Sequence, residues 1–253
     1  MSEVPPTHPR AESLRVRERL VDGLRAGLVV PEGLAAHGRG EAFDYILGER
    51  TTEFALRAIE AAVAELLLAE RAVISVNGNV AALVPAEIVR LSKAVGARLE
   101  VNLFHGSAKR ELTIAKHLRN HGAEKVLGVG LKFAKRIPEV HSDRRKVDRR
   151  GIATADVVLV PLEDGDRTKA LRKLRKRVIA IDLNPISRTA NATDIAIVDN
   201  ITRTIPLMVE KAKRLSRKSR AELRKILKKF DNSANLKMTL RFMFKRLEKI
   251  SRA

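Results

Sequence analysis

The chain has 253 residues, a formal net charge of +20 and 45% apolar residues, which is enough for one α/β domain with an appendage around a sizeable core. It has no cysteine, which excludes disulfides, thiolate catalysis and zinc sites built on sulfur, and its six histidines make only a weak case for a metal site of histidine alone. Aromatic residues are 3%, with no Trp and one Tyr, so the stacking platforms used on single-stranded nucleic acid are mostly missing in spite of the charge.

From the N-terminus, Leu14, Leu20, Leu24 and Leu28, with arginines between them, predict an amphipathic helix over 10–28 that Pro31-Glu32-Gly33 ends. Before it, residues 1–6 carry neither a basic n-region nor an apolar h-region, so we expect a cytoplasmic protein. The stretch from His37 to Tyr45 reads as a glycine-flanked turn, in which Gly38 and Gly40 free Arg39 to clamp an anion. Glu41 and Asp44, three apart, can bind a divalent cation, orient Arg39 or favour a helix start. His37 is either bonded in the turn or catalytic, and Tyr45 is expected to pack half-buried. Residues 54–72 predict a helix whose broad apolar face, Ala58, Ile59, Ala62, Val63, Leu66 and Leu67, is buried against a sheet or a second subunit. Its longest apolar run, Ala61 to Ala69, is interrupted by Glu65 and falls well short of the roughly 18 residues of a membrane span.

Strands follow at 72–76, 98–103, 125–129, 156–162, 177–183 and 194–198, with helices near 85–95, 107–121 and 166–176 between most of them. This alternation predicts an α/β fold with a largely parallel sheet. After Pro206 the chain reads as helix, in pieces around 207–217, 219–230 and 234–251. We therefore expect one α/β domain over 1–205, including the N-terminal helices, and a basic helical appendage over 206–253 packed on the core or on a dimer partner. The charge is concentrated in Lys132 to Arg150 and Arg203 to Lys229, outside the strands. These blocks read as solvated helix faces that also raise the local concentration of small polyanions such as nucleotides and phosphate esters.

Four apolar runs end abruptly in polar clusters, and ligands of open α/β sheets sit beyond the carboxyl ends of strands. Residues 72–76 run into Asn77-Gly78-Asn79, 157–160 into Glu163-Asp164-Gly165-Asp166-Arg167, 178–181 into Asp182 to Arg188, and 195–198 into Asp199-Asn200. Neither a GxGxxG fingerprint nor a GxxxxGK[ST] loop is present, so a nucleotide must be bound with another geometry. Asp182 can accept from a ribose hydroxyl, Asn184 and Ser187 can add amide and hydroxyl contacts, and Arg188 can neutralise phosphate. The same string is equally an Asx turn after a strand. Glu163, Asp164 and Asp166 can hold Mg²⁺ through oxygen ligands or capture an ammonium group, while Asp166 can instead cap a helix starting near Arg167.

Taken together, Ala36 to Tyr45, Val73 to Pro85, Val157 to Arg167, Asp182 to Arg188 and Ile197 to Ile201 closely resemble the archaeal phosphopantothenate synthetase family, over roughly residues 7–205. The resemblance implies a Rossmann-like three-layer core whose ATP site departs from GxGxxG. It also implies a homodimeric, ATP-dependent ligase that joins 4-phosphopantoate to beta-alanine in coenzyme A biosynthesis. In that chemistry the acid is activated as a phosphopantoyl adenylate with loss of diphosphate, and the amine then displaces AMP. Carried over by motif, Arg17, Arg39, Asp182, Leu183, Asn184, Arg188, Thr189, Asn200 and Ile201 contact ATP. Arg39, His37 and Asp164 are the catalytic candidates, and Asn77, Asn79 and Glu163 the candidates for the other substrates. Mg²⁺ accompanies ATP, and no metal ligand is assigned. Neither a specific nucleic acid nor a membrane is an expected partner. Two other classes compete: a basic nucleic-acid-binding protein, favoured by charge alone, and a nucleotide-binding regulator without turnover. AMP formation that depends on both the acid and the amine separates the ligase from both.

Overall fold

The computed structural model describes residues 5, 7, 8, 10–130 and 134–252. Residues 1–4 of the N-terminal segment, and Lys132 and Phe133 at the start of the first basic block, lie outside them. Three helices, α1 (Ala11–Arg25), α2 (Pro31–Leu47) and α3 (Glu53–Leu68), lead into β1 (Ala72–Val76). Then come α4 (Gly78–Leu83), α5 (Pro85–Val95), β2 (Arg98–Val101), α6 (Ala108–Asn120) and β3 (Val126–Leu127). A short hairpin, β4 (Ala134–Arg136) and β5 (Lys146–Asp148), precedes β6 (Val157–Pro161), α7 (Gly165–Lys173), β7 (Arg177–Ile181), α8 (Arg188–Ala192) and β8 (Ile195–Ile197). The chain closes with α9 (Ile201–Leu215), α10 (Arg220–Lys229) and α11 (Asn232–Ser251).

The main sheet has six strands in the order β3-β2-β1-β6-β7-β8, and every pairing in it is parallel. Near-continuous apolar strands are what a sheet covered on both faces requires. Side-chain alternation splits them accordingly. Ile74, Val76, Leu159, Ile179 and Ile181 join the core beneath α3, α5 and α9, whereas Val73, Val158, Val160, Val178 and Ala180 pack with Leu171 of α7 and with Ile137, Val147 and Ile152 around the hairpin. The expected three layers are present. A third, smaller core of Leu47, Leu183, Ala190, Val198, Leu236 and Met243 ties α2 and α11 to the β7 and β8 ends of the sheet.

The predicted strands all form, the one at 72–76 and the helix at 85–95 with the predicted bounds and the other strands shortened at their ends. The first departure is at Pro31. That residue occupies the opening turn of α2, where its missing N–H costs nothing, so it starts a helix as well as following one. His37 to Tyr45 is thereby helical and contains no turn. The second is at the C-terminal end of the chain. α9 runs through Pro206 and packs on α3 and α5, so the expected division at 205/206 falls inside this helix. Among the described residues no helix is long and apolar enough to cross a membrane.

Candidate active site at the switch point

The sheet order reverses between β1 and β6, and the loops leaving these two strands diverge to opposite sides, which opens a crevice at their carboxyl ends. Asn77 closes the floor of this crevice. Its Oδ1 accepts from Val80 N at 3.1 Å and caps α4, while its Nδ2 donates to Pro161 O at 3.0 Å and Leu162 O at 3.3 Å across the gap. Asn79 Nδ2 donates to Gly33 O at 2.8 Å and so fastens α2 to the same place. Gly78 is required here, since a Cβ on it would lie 2.2 Å from Leu28 O.

At the end of β6, the Glu163 carboxylate is buried between two guanidinium groups, Arg144 from the hairpin loop and Arg167 from α7. Both its oxygens are engaged, so Glu163 is a structural anion and is not presented to an ammonium group. Asp164 shares Arg144 at 2.8 Å but keeps 44% of its side chain exposed. Burial raises the Asp164 pKa, and Arg144 opposes that rise. Asp164, rather than Asp166, precedes the first turn of α7; Asp166 lies within that turn, and its expected capping role is not realised.

Beyond β7 the Asx-turn reading of Asp182 is the one the structure adopts. Asp182 Oδ1 accepts from Asn184 N at 2.9 Å and Oδ2 from Ser187 Oγ at 2.5 Å. Ser187 in turn caps α8 by accepting from Ala190 N at 2.9 Å. Desolvation raises the Asp182 pKa, and the charge of Arg39, exposed on α2, is felt there in the opposite sense. Arg39 and Asp182 are therefore near enough for their charges to interact. Arg188 is exposed at the start of α8, and Thr189 Oγ1 donates to Glu163 O at 2.8 Å. Gly165 makes this approach of α7 and α8 feasible, because its Cβ would lie 2.4 Å from Arg188 Cβ. Leu183 is buried in the small core, with Gly40 of α2 against it.

Beyond β8, Asn200 caps α9 through Thr202 N at 3.1 Å and donates to Asp44 Oδ2 at 3.0 Å. Arg203 joins the same network at 2.6 Å from both Asp44 and Asp199, and so locks α2 onto the first turn of α9, which Ile201 opens. Arg17 of α1 pairs with Glu41 at 3.1 Å, and Tyr45 Oη donates to the same carboxylate at 3.1 Å. Glu41 and Asp44 thus hold Arg17 and Arg203 and do not orient Arg39. Tyr45 is 40% exposed, a hydrogen-bonded residue more than a packed one. His37 lies on α2 beside this cluster. Burial lowers its pKa, and its Nε2 is buried without a partner.

The sequence of a family described as Phosphopantothenate/pantothenate synthetase matches residues 54–246, most of the chain. The chain belongs to that family. A relative from Thermococcus kodakarensis named 4-phosphopantoate–beta-alanine ligase is 52% identical over 251 residues, 99% of this chain and 96% of the relative. One of the same name from Methanosarcina mazei is 50% identical over 236 residues, covering 93% of this chain and 92% of that protein. Each is similar over nearly its full length, so the similarity to the Thermococcus relative takes in α2, the switch-point loops and the C-terminal helices together, whereas the family match begins at residue 54, after α2.

For this member of the phosphopantothenate/pantothenate synthetase family, sequence reasoning passed over Arg110, Arg144 and Arg203, and it named Arg167 in a strand-end cluster without pairing it to Glu163. Arg144 and Arg110 lie between the strand-end clusters in sequence and reach the crevice only through the fold. Arg203 was visible only as part of a basic block, though its spacing of four from Asp199 on a helix was a usable signal. His117 in the last turn of α6 and His121 at its C-terminal cap have ring centroids 4.5 Å apart. Among the described residues, no group of three or more His, Asp or Glu side chains is placed to hold a metal ion.

Proposed function

We propose that this chain is an ATP-dependent, AMP-forming ligase that condenses 4-phosphopantoate with beta-alanine to 4'-phosphopantothenate in coenzyme A biosynthesis. What carries this reading is the near full-length identity of 50 to 52% to relatives bearing that ligase name. The crevice suits it chemically. A carboxylate is a poor electrophile, so its oxygen must first become part of a leaving group. Attack of the acid's carboxylate oxygen on the α-phosphorus of ATP breaks the bond to the β-phosphate, releases diphosphate and leaves an acyl adenylate. The neutral amine of beta-alanine then attacks the acyl carbon, the bond to AMP breaks, and one proton is lost from nitrogen.

Positioning and charge neutralisation dominate such displacements. Arg39 and Arg188 are both exposed and would face phosphate oxygens in this reading, and Arg17, held by Glu41, would join them from α1. Asp182, Asn184 and the capped first turns of α8 and α9 supply the polar frame for the nucleoside. His37, whose lowered pKa favours the neutral ring, would offer a hydrogen bond at the site without adding positive charge. Mg²⁺ fits this site as a companion of the triphosphate more than as a protein-caged ion, because Mg²⁺ keeps several waters and needs only one or two carboxylates. Asp164, half-exposed with one oxygen left over from Arg144, is the group that would reach it, and the ion would neutralise phosphate charge.

A second copy of the chain completes the reading. Leu240, Phe244, Leu247 and Ile250 form an exposed apolar stripe along α11, and self-association would bury it. The test is incubation with ATP, Mg²⁺, 4-phosphopantoate and beta-alanine, followed by product mass measurement and nucleotide analysis. AMP and 4'-phosphopantothenate are expected in equal amounts. ADP as the nucleotide product, or ATP consumption indifferent to the acid, would refute it.

A further inference from the structure

Arg110 of α6 is a half-buried guanidinium with no carboxylate in an ion pair with it among the described residues. Its Nε donates to Leu28 O at 2.9 Å and its Nη1 to His105 O at 2.8 Å. These two bonds fix the plane of the fork. They leave Nη2 beside the backbone that follows β1, where a Cβ on Gly78 would lie 2.8 Å from it. Burial lowers the Arg110 pKa; the carboxylate of Glu32 offsets this in part, and the positive charge of Arg144 lowers it further.

Arg144 reaches the same crevice from the hairpin. Only 6% exposed, it gives Nη1 to Glu163 and Asp164, while its Nε is buried with no hydrogen-bond partner. Glu163 and Asp164 already offset the charge of Arg144, so the partly desolvated Arg110 is the one whose charge an incoming anion would balance. Both have unused donors, and a planar fork matches phosphate oxygens in a bidentate way.

We propose that Arg110 and Arg144 form a phosphate subsite on the β1 side of the switch point, which receives the terminal phosphate of the acid substrate while its carboxylate faces the nucleotide. The inference rests on the ligase reading above and adds to it the residues that select a phosphorylated acid. Phosphate could come from the acid or from the distal end of ATP, and the layout favours the acid. The nucleotide candidates stand beyond β7 and β8, and β6 separates β7 from β1. Two strand spacings amount to roughly 10 Å, a span that a substrate with phosphate at one end and carboxylate at the other can bridge.

The test compares Arg110→Gln and Arg110→Lys with the unaltered protein, using 4-phosphopantoate, pantoate and ATP as separately varied substrates. Loss of a charge-assisted contact should raise KM for 4-phosphopantoate about 10- to 100-fold in Arg110→Gln. It should also shrink the preference for 4-phosphopantoate over pantoate by a similar factor, with KM for ATP changed less than about twofold. Arg110→Lys should recover part of the loss. In the unaltered protein, inorganic phosphate should compete with 4-phosphopantoate and not with ATP, a reading that does not depend on any variant folding. Competition with ATP, or a selectivity unchanged in both variants, overturns the subsite while leaving the ligase intact. Absence of any 4'-phosphopantothenate from the unaltered protein strikes the ligase reading itself.

Discussion

Replacing Gly38 with alanine asks directly whether the segment carrying Arg39 is a turn or a helix. The residue sits in the interior of α2, has no positive φ, and an added Cβ would meet nothing within 4 Å. Glycine in a helix interior is less stable than alanine by roughly 0.5–1 kcal/mol, because it gives up more backbone freedom on folding. With no clash to set against that gain, Gly38→Ala should stabilise the ligand-free protein by about the same amount. For a chain of this size each kcal/mol moves Tm by about 2–4 °C, so the expected rise is about 1–4 °C. Gly40→Ala should behave similarly, since its Cβ would make an ordinary 3.7 Å contact with Leu183 Cδ1. Calorimetric or circular-dichroism melts of the two variants without nucleotide measure this. A fall in Tm for Gly38→Ala would mean that the backbone there needs glycine, and the helical account of α2 would fail.

Gly165→Ala should act in the opposite way, because its Cβ would lie 2.4 Å from Arg188 Cβ and 3.2 Å from Thr189 N. Overpacking of this kind costs about 1–3 kcal/mol; a lowered Tm together with a raised KM for ATP is expected, and an unchanged KM would separate Arg188 and Thr189 from the nucleotide. Glu100 of β2 is fully buried, accepts from Asp148 N at 2.8 Å and Ile152 N at 2.6 Å, and burial pushes its carboxyl up to about 7. A raised carboxyl pKa means that the folded state keeps a proton the unfolded chain has already released, so its contribution to stability is lost as pH rises from about 4.5 through about 7. Denaturant titrations at several pH values should show a weaker decline over that window in Glu100→Gln, and identical slopes in both proteins would count against a buried, titrating Glu100.

Much of the local structure is legible in the chain because it depends on neighbours in sequence. Val73 to Val76, Val157 to Val160 and Val178 to Ile181 are β-branched runs too apolar to face water on either side, so a parallel sheet covered by helices follows from composition and alternation alone. Asp182-Leu183-Asn184-Pro185 carries its Asx turn in its own side chains, and Ser219 with Glu222 forms a capping box from residues three apart. The long strings shared with the family were likewise readable without coordinates.

The turn assigned to His37 to Tyr45 failed for a physical reason. Glycine's conformational freedom permits a turn without requiring one, and contacts from elsewhere decided the matter. Asp44 is held by Arg203 and Asn200, Glu41 by Arg17, and Leu47 is buried beside α11, so the helix is fixed by tertiary partners in spite of three glycines. Glu163 is the same lesson in charge. Its position after a strand marked it as available to a ligand, but Arg144, 19 residues earlier, and Arg167 enclose it. Sequence spacing can place two groups on one helix face or at one strand end. Whether a carboxylate is free or already neutralised depends on which distant cations the sheet order brings beside it, and that order, with its reversal between β1 and β6, exists only in the folded chain.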